Sequence, residues 1–230
     1  MSRLEKIIIL GCGSYNPLTY MHLRMFEIAR DYLNHHGNYE VISGIISPVN
    51  DHYSTSKYLA PSKHRNQMIK LALKPLMNQA NWIHLDEWES KQDHWIRTLE
   101  VLQHHSKKLE NQKDSSKEKI RLMLLCGSDM FESFNLPNLW QDDDIETIVR
   151  DFGILIIHRD ISDPWKTLND SEKSKILLKY KHNIHIIEEK AKNSISSTFI
   201  RQAIAKNESI RYLTDDAIVE YIHKNRLYRD

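Results

Sequence analysis

The stretch GCGSYNPLTYMHLR, residues 11–24, decides the fold of this chain. It follows the short apolar run KIIIL at residues 6–10, whose β-branched side chains are typical of a buried strand. Beyond the glycines, apolar residues recur at helical spacing from Met21 to Leu33. The chain therefore opens with a strand, a glycine turn and a helix, an arrangement that can direct backbone amides and a helix N-terminus at an anion.

The same alternation of strands and helices continues along the chain. We predict further strands at residues 41–46, 82–85, 120–126, 152–157 and 185–187, and further helices at 62–73, 93–109, 145–149, 172–180, 199–205 and 215–224. In the helix at 93–109 the side chains of Trp95, Leu99 and Leu102 are expected to face inward. This order predicts an α/β fold with a doubly wound, Rossmann-like parallel sheet and helices on both faces.

Length and linkers bear on domain organisation. With 230 residues and no convincing linker, the chain is expected to form a single domain over residues 1–230, with a C-terminal helical part at about 196–230. Residues 107–119 carry almost no apolar side chain, so a flexible surface loop is predicted at about 110–119.

Charge and cysteine content narrow the function classes. The formal net charge is +1, which provides no electrostatic footprint for nucleic acid or for an anionic membrane. No apolar run approaches the ~20 residues that cross a bilayer, and the first apolar run is too short for a signal peptide. Cys12 and Cys126 lack metal-type spacing and are typical of reduced thiols, so an intracellular protein, cytoplasmic or nuclear, is expected.

Several common nucleotide and esterase motifs do not fit. Gly11 and Gly13 match the first two glycines of the G-x-G-x-x-G fingerprint, but Asn16 stands at the third position. The chain contains neither the G-x-x-x-x-G-K-[ST] pattern of P-loop enzymes nor the G-x-S-x-G elbow of esterases. An NAD-dependent oxidoreductase therefore stays only as an alternative.

The turn after the first strand has a more specific match. Residues 13–24 resemble the signature of the nucleotidyltransferase superfamily related to class I aminoacyl-tRNA synthetases, in which G-x-F-x-P precedes H-x-G-H or T-x-x-H. The turn amides and the helix N-terminus can bind phosphate, and the histidine can donate to a phosphoryl oxygen. The nucleotide contacts expected from this element are Gly13, Ser14, Tyr15 and Thr19, with His22 as a catalytic residue.

A second element stands near the C-terminus. Residues 195–201 (ISSTFIR) resemble the ISSTxIR element that the superfamily carries at the start of a helix. Hydroxyls and amides at a helix N-terminus can hold triphosphate oxygens, and an arginine one turn later adds a charged fork. Serine and threonine are also ordinary helix caps, but both elements in this order favour a phosphate site. The contacts expected here are Asn193, Ser196, Ser197 and Thr198, with Arg201 as a catalytic residue.

From residue 8 almost to the C-terminus the chain resembles the eukaryotic-type nicotinamide/nicotinic acid mononucleotide adenylyltransferases. The matching stretches are IISPVND (45–51), the HR of SKHR (64–65), WES (88–90), LLCGSDMFESFNLPNLW (124–140), NIHII (183–187) and SIRYL (209–213). The segment YSTSK at residues 53–57 is one residue longer than the usual lysine-containing loop, in which Lys57 is the expected ATP contact.

The resemblance implies an enzyme that joins the AMP part of ATP to nicotinamide mononucleotide, and also to nicotinic acid mononucleotide, giving NAD or deamido-NAD and pyrophosphate. Mg²⁺ would arrive with ATP, and no metal site of the protein's own is expected. The remaining contacts are two indoles for the pyridine ring (Trp88 and Trp140), backbone groups for its amide (Glu89 and Leu139), and the second glycine turn with a ribose acceptor or helix cap (Gly127 and Asp129).

Other functions stay open at this stage. Another enzyme of the superfamily, making coenzyme A or a lipid headgroup intermediate, would share the phosphate elements but should lack the two tryptophan stretches. A chaperone-like role, reported for relatives of the resembled family, is a non-enzymatic alternative. The expected partners are ATP, both mononucleotides and NAD, without nucleic acid or membrane, and a homo-oligomer is compatible with the sequence.

Overall fold

The computed structural model describes residues 4–53, 58–74, 81–111, 120–159 and 162–229. Lys57, the expected ATP contact, and residues 112–119 of the predicted surface loop lie outside the described residues. Both therefore stay predictions.

The described residues include one six-stranded sheet. Its strands are β1 (Glu5–Gly13), β2 (Tyr39–Pro48), β3 (Ile83–Leu85), β4 (Ile120–Gly127), β5 (Ile154–His158) and β6 (Ile184–Glu188). They lie in the order β3-β2-β1-β4-β5-β6, and the pairs β1–β4, β4–β5 and β5–β6 are parallel. This is the doubly wound order, with its switch point between β1 and β4, so the predicted Rossmann-like fold is confirmed.

The central strands are buried on both faces. In β1 the neighbouring residues Ile8 and Ile9 point to opposite sides of the sheet, yet they are only 6% and 0% exposed. Ile8 pairs with Leu122 of β4, and Leu124 of β4 pairs with Ile154 of β5, so apolar residues continue across the sheet. Continuous apolar strands of this kind are expected where helices cover both faces of a parallel sheet.

Helices connect and follow the strands. The described residues form α1 (Tyr20–His35), α2 (Ser62–Leu73), α3 (Thr98–Asn111), α4 (Ser128–Glu132), α5 (Asp142–Thr147), α6 (Pro164–Asp170), α7 (Ser174–Lys179), α8 (Ser197–Ala205) and α9 (Asp216–Lys224). The prediction for α2 agrees at both ends. Among the described residues, no helix combines the length and apolar character needed to cross a bilayer.

Several predicted boundaries are wrong in detail. Helix α3 begins at Thr98 rather than at residue 93, so Trp95 lies before the helix and is 43% exposed, whereas Leu99 and Leu102 are buried as expected. Strand β5 begins at Ile154, because residues 148–152 continue α5 as a π-helical turn. That turn ends at Gly153, whose φ of 83° is a left-handed conformation that favours glycine.

The chain divides into two compact units, each discontinuous in sequence. Unit 1 comprises Met1–Gly11, Met25–Gly44 and Arg97–Asn193, and unit 2 comprises Cys12–Arg24, Ile45–Ile96 and Ser194–Asp230. Unit 2 contains both predicted phosphate elements, and unit 1 contains the second glycine turn and Trp140. The prediction of a single domain stays a prediction.

Candidate active site

The turn after β1 is held through its carbonyl oxygens. Five of these oxygens accept hydrogen bonds from donors elsewhere in the protein at 2.7 to 3.0 Å. The pairs are Gly13 O with Val49 N, Ser14 O with Arg65 Nη1, Asn16 O with Arg201 Nη1, Pro17 O with Ser197 Oγ, and Leu18 O with Thr214 Oγ1. In a trans peptide the N–H points opposite to the C=O, so the amides of Ser14 and Tyr15 point away from these donors. A turn whose carbonyl oxygens are bound to protein donors while its amides point the other way can bind an anion.

Arg65 and Arg201 both reach this turn. The Arg65 side chain is fully buried, and its Nη1 donates to the Ser14 carbonyl oxygen over 2.9 Å. The half-buried Arg201 donates through Nη1 to the Asn16 carbonyl oxygen over 2.8 Å. Burial lowers the pKa of both guanidinium groups, although arginine stays charged in proteins. The positive charge of Arg201 favours an anion bound at the turn, whereas that of Arg65 is paired with Asp51 Oδ1 at 3.0 Å.

His22 is oriented by the residue three positions before it. The Thr19 backbone N–H donates to His22 Nδ1 over 2.9 Å, and the Thr19 hydroxyl oxygen lies 2.9 Å from the same nitrogen. The buried Tyr15 ring meets the imidazole edge-on, with 5.1 Å between the ring centroids. Because Nδ1 accepts, the neutral imidazole carries its proton on Nε2, where it can donate to a phosphoryl oxygen.

The second phosphate element begins helix α8 and contacts the first. Ser196 is the N-cap, since its Oγ accepts from the Phe199 N–H over 3.1 Å, so the helix-cap alternative is correct for this residue. Ser197 Oγ donates to the Pro17 carbonyl oxygen, and Thr198 Oγ1 accepts from Arg201 Nη2 over 3.2 Å. Unit 2 thus brings the two predicted elements together.

Trp88 and Glu89 lie after strand β3 in unit 2. The backbone N–H of Trp88 donates to Asp86 Oδ1 over 2.8 Å, and the indole of Trp88 is half-buried. Glu89 is 3% exposed and accepts from Ser47 Oγ over 2.5 Å. Burial raises the pKa of the Glu89 carboxyl to about 7, against the opposing effects of Ser47 and Arg65. Because the carboxyl is hydrogen-bonded to Ser47, only the backbone of Glu89 is left for the predicted contact with the amide of the pyridine ring.

The second glycine turn lies in unit 1. Gly127 is the N-cap of α4, and a Cβ on it would lie 2.6 Å from Asp129 Oδ1. Glycine is therefore required for Asp129 to keep this position, with its carboxylate folded back over the turn. No side-chain hydrogen bond caps α4, and Asp129 is exposed. The helix-cap alternative for Asp129 thus has no support, and a role as a hydrogen-bond acceptor remains.

The other predicted contacts of unit 1 differ in how firmly they are held. Trp140 Nε1 donates to Ser133 Oγ over 3.0 Å, and its ring packs against Phe134 with 4.8 Å between centroids. Leu139 is 42% exposed. Asn193 donates through Nδ2 to the Ala191 carbonyl oxygen over 2.9 Å. The Trp140 indole is thus oriented by contacts within unit 1 while it stays partly exposed.

Sequence reasoning missed the importance of Asn16, which it treated only as an interruption of a glycine pattern. Asn16 is 2% exposed, and its Nδ2 donates to the Tyr58 carbonyl oxygen over 2.6 Å. Its Oδ1 accepts from the Ala60 N–H and from the Tyr228 hydroxyl. An amide offers both N–H donors and a carbonyl acceptor on one short side chain, and its presence in the turn is the signal that could have identified it.

Arg65 was also missed as a site component. It lies in the HR pair of residues 64–65, and besides Ser14 it donates to the carbonyl oxygens of Ala60 and Val49 at 2.7 Å and to Asp51 Oδ1 at 3.0 Å. These bonds join the turn after β1 to the segment that follows β2. Arg65 therefore supports the predicted phosphate turn from inside the protein.

Comparisons with known proteins identify the family and the fold of this chain. A family model described as cytidylyltransferase-like matches residues 10–203. The fold is similar to that of Plasmodium falciparum nicotinic acid mononucleotide adenylyltransferase complexed with NaAD, with a TM-score of 0.63 and 97% of each chain covered. At 21% identity, this likeness supports the fold alone.

Sequence relatives are more specific. The chain is 41% identical to nicotinamide/nicotinic acid mononucleotide adenylyltransferase 1 of Bos taurus, over 99% of this chain and 90% of the relative. It is 36% identical to the Arabidopsis thaliana enzyme of the same name, over 97% of this chain and 90% of that one. A Drosophila melanogaster nicotinamide-nucleotide adenylyltransferase is 40% identical, but the match spans 62% of its length. The chain therefore belongs to the nicotinamide/nicotinic acid mononucleotide adenylyltransferase family.

Proposed function

We propose that this chain transfers the AMP part of ATP to nicotinamide mononucleotide, forming NAD and pyrophosphate, and that it accepts nicotinic acid mononucleotide in the same way. The observation that carries the proposal is the junction of the two phosphate elements in unit 2. There Arg201 Nη1 lies 2.8 Å from the Asn16 carbonyl oxygen, in the turn that leads to His22. Family membership supports this substrate class.

The reaction requires alignment and charge neutralisation rather than a protein nucleophile. A 5′-phosphate oxygen of the mononucleotide attacks the α-phosphorus of ATP, and the bond from that phosphorus to the pyrophosphate oxygen breaks. His22 Nε2–H donates to a phosphoryl oxygen as charge grows, and Arg201 neutralises part of the triphosphate charge. The amides of the turn at Gly13 and Ser14, with Ser197 and Thr198, position the phosphates.

Magnesium enters this scheme as part of the MgATP substrate. Within the described ranges, no group of three His, Cys, Asp or Glu side chains is arranged to hold a metal ion. Mg²⁺ commonly keeps several waters and binds through substrate phosphates, so it would supply further neutralisation of the triphosphate.

The mononucleotide end of the reaction is assigned to the tryptophans. The half-buried indoles of Trp88 and Trp140 are proposed to stack on the cationic pyridine ring. Backbone groups of Glu89 and Leu139 would bind its amide or carboxylate, and Asp129 would accept from a ribose hydroxyl. The other proposed nucleotide contacts are Tyr15, Thr19, Lys57, Gly127, Asn193 and Ser196. A cytoplasmic or nuclear location completes the proposal, and a homo-oligomer is compatible with it.

Mass detection of NAD tests the function directly. Purified protein is incubated with ATP, Mg²⁺ and nicotinamide mononucleotide, and NAD and pyrophosphate should form in equal amounts. A parallel reaction with nicotinic acid mononucleotide should give deamido-NAD. Reactions without an acceptor, or with phosphopantetheine instead, should give no adenylylated product. A folded protein that adenylylates phosphopantetheine and leaves both mononucleotides unchanged would refute the proposal.

A further inference from the structure

The C-terminal segment reaches back to the phosphate turn through one hydroxyl. Tyr228 follows helix α9, is 5% exposed, and donates to Asn16 Oδ1 over 2.9 Å across 212 residues of sequence. Burial raises the pKa of its hydroxyl, so Tyr228 is a neutral phenol that can donate. Its ring also packs edge-on against Tyr58, with 6.0 Å between centroids.

Tyr228 and Arg201 bind the same residue from opposite ends. The Asn16 side chain accepts from Tyr228, while the Asn16 carbonyl oxygen accepts from Arg201 Nη1 over 2.8 Å. Arg201 has a second partner in Thr198 Oγ1, 3.2 Å from Nη2. Because a guanidinium is planar, two partners on different nitrogens set the orientation of the whole group. Movement of Asn16 would therefore turn Arg201.

We infer that Tyr228 is a positioning residue for adenylyl transfer: its hydroxyl holds Asn16 so that the Asn16 carbonyl keeps Arg201 oriented toward the phosphates. This inference rests on the proposed function. It assigns a role in turnover to a residue near the C-terminus that does not itself contact substrate.

The bonding pattern separates this role from a purely structural one. If the Tyr228 hydroxyl is removed, Asn16 Oδ1 still accepts from the Ala60 N–H over 3.1 Å, so no buried polar atom is left unpaired. Loss of one such neutral bond costs little stability. Turnover is more sensitive, because a misplacement of about 1 Å in a catalytic group can cost about 10²-fold.

The test compares Tyr228→Phe with Tyr221→Phe. Tyr221 lies on α9 and its hydroxyl is 2.9 Å from His64 Nδ1, so its loss removes a comparable bond away from Asn16. Tyr228→Phe should lower turnover about 5- to 20-fold while the Michaelis constants for both substrates change less than about two-fold. Its thermal midpoint should fall by at most about 4 °C. Tyr221→Phe should keep turnover within about two-fold of the wild type.

A double-mutant cycle tests whether Tyr228 affects turnover through Arg201. Lysine cannot reproduce the planar two-nitrogen geometry of Arg201, so in an Arg201→Lys background Tyr228→Phe should lower turnover by less than about two-fold. Equal fold-losses in both backgrounds would overturn the inference, as would unchanged turnover in Tyr228→Phe or a fall of more than about 10 °C in its thermal midpoint. A wild-type chain that makes no NAD would instead refute the proposed function.

Discussion

The backbone N–H of Thr19 donates to Nδ1 of His22 over 2.9 Å. This single bond determines which imidazole nitrogen accepts, and the Thr19 hydroxyl oxygen beside it limits rotation of the ring. The proton of the neutral imidazole is consequently on Nε2. A histidine held in this way can donate to a phosphoryl oxygen without serving as a base.

We expect His22→Ala to lower turnover by about 10²- to 10³-fold, the scale of one lost oxyanion-type donor. The Michaelis constants should change much less, because the donor acts on charge that grows during transfer. Thermal stability should barely change, since His22 is half-buried near a helix start. Steady-state kinetics and thermal unfolding measure these effects. His22→Asn should recover part of the rate, and near-normal turnover in His22→Ala would show that the histidine is structural.

Trp140→Ala should weaken binding of the mononucleotide about 5- to 150-fold, the value of one stacking face, and affect ATP far less. Titration calorimetry with each substrate provides the comparison. Trp165→Ala is the matched control, because Trp165 is another partly exposed indole of unit 1, packed on His158. Equal weakening of both substrates by Trp140→Ala would indicate a structural tryptophan, oriented by its bond to Ser133.

Gly127→Ala should reproduce the kinetic effect of Asp129→Ala. The new Cβ would lie 2.6 Å from Asp129 Oδ1, so the carboxylate must move away from the turn. If Asp129 accepts from a ribose, each variant should lose about 3- to 10-fold in kcat/KM, on the scale of about 1 kcal/mol for one hydrogen bond. The double variant should lose no more than either single one. Additive losses would show that Gly127 and Asp129 act separately.

Glu89 should make the protein less stable as the pH rises. With a folded-state pKa of about 7 against an ordinary 4.5, the folded state holds a proton between these values that the unfolded state has released. The free energy of unfolding should therefore fall by up to about 3 kcal/mol across this range, relative to Glu89→Gln. Urea unfolding at several pH values measures the difference. A constant offset between the two proteins at every pH would contradict the prediction.

His185 should have the opposite effect. Burial, with His36 and Arg121 nearby, lowers its pKa to about 4, so between pH 4 and 6.5 the unfolded state binds a proton that the folded state does not. Stability from this group is lost as the pH falls through that range. His185→Gln should remove the slope, and the Tyr32 hydroxyl, 3.2 Å from His185 Nδ1, should still find a partner. A variant with unchanged pH dependence would show that His185 does not titrate in this way.

The sequence predicted the sheet well because its strands are apolar on both faces. Runs such as residues 6–10 and 120–126 are short and mostly apolar, which is typical of strands inside a parallel sheet covered on both faces. Boundaries were less certain. Helical spacing predicts a buried Trp95, but α3 begins only at Thr98. Trp95 lies outside the helix, where helical spacing does not indicate which side chains are buried. Helices as short as α4 carry too few turns to show a period.

The two proposed phosphate elements come from the sequence alone, since a glycine turn and a hydroxyl-rich helix start are local features. Their partners were not. Asn16 was read as a break in a pattern, and the sequence shows nothing at Tyr228 that indicates a bond to it. A buried amide acquires its partners only when distant segments come together, so its importance is a property of the packed chain.

The sequence by itself determined the α/β alternation and the family, and it indicated the two proposed phosphate elements, because each depends on residues adjacent along the chain. Only the tertiary structure decided which groups face each other. It placed Arg201 on the Asn16 carbonyl and Arg65 on that of Ser14, and it raised the pKa of Glu89 by burying the carboxyl. Local patterns set backbone geometry, whereas burial and pairing of charged groups depend on segments separated by up to 185 residues. These contacts form only when the chain is folded, so their contribution to the free energy of the protein depends on the tertiary structure.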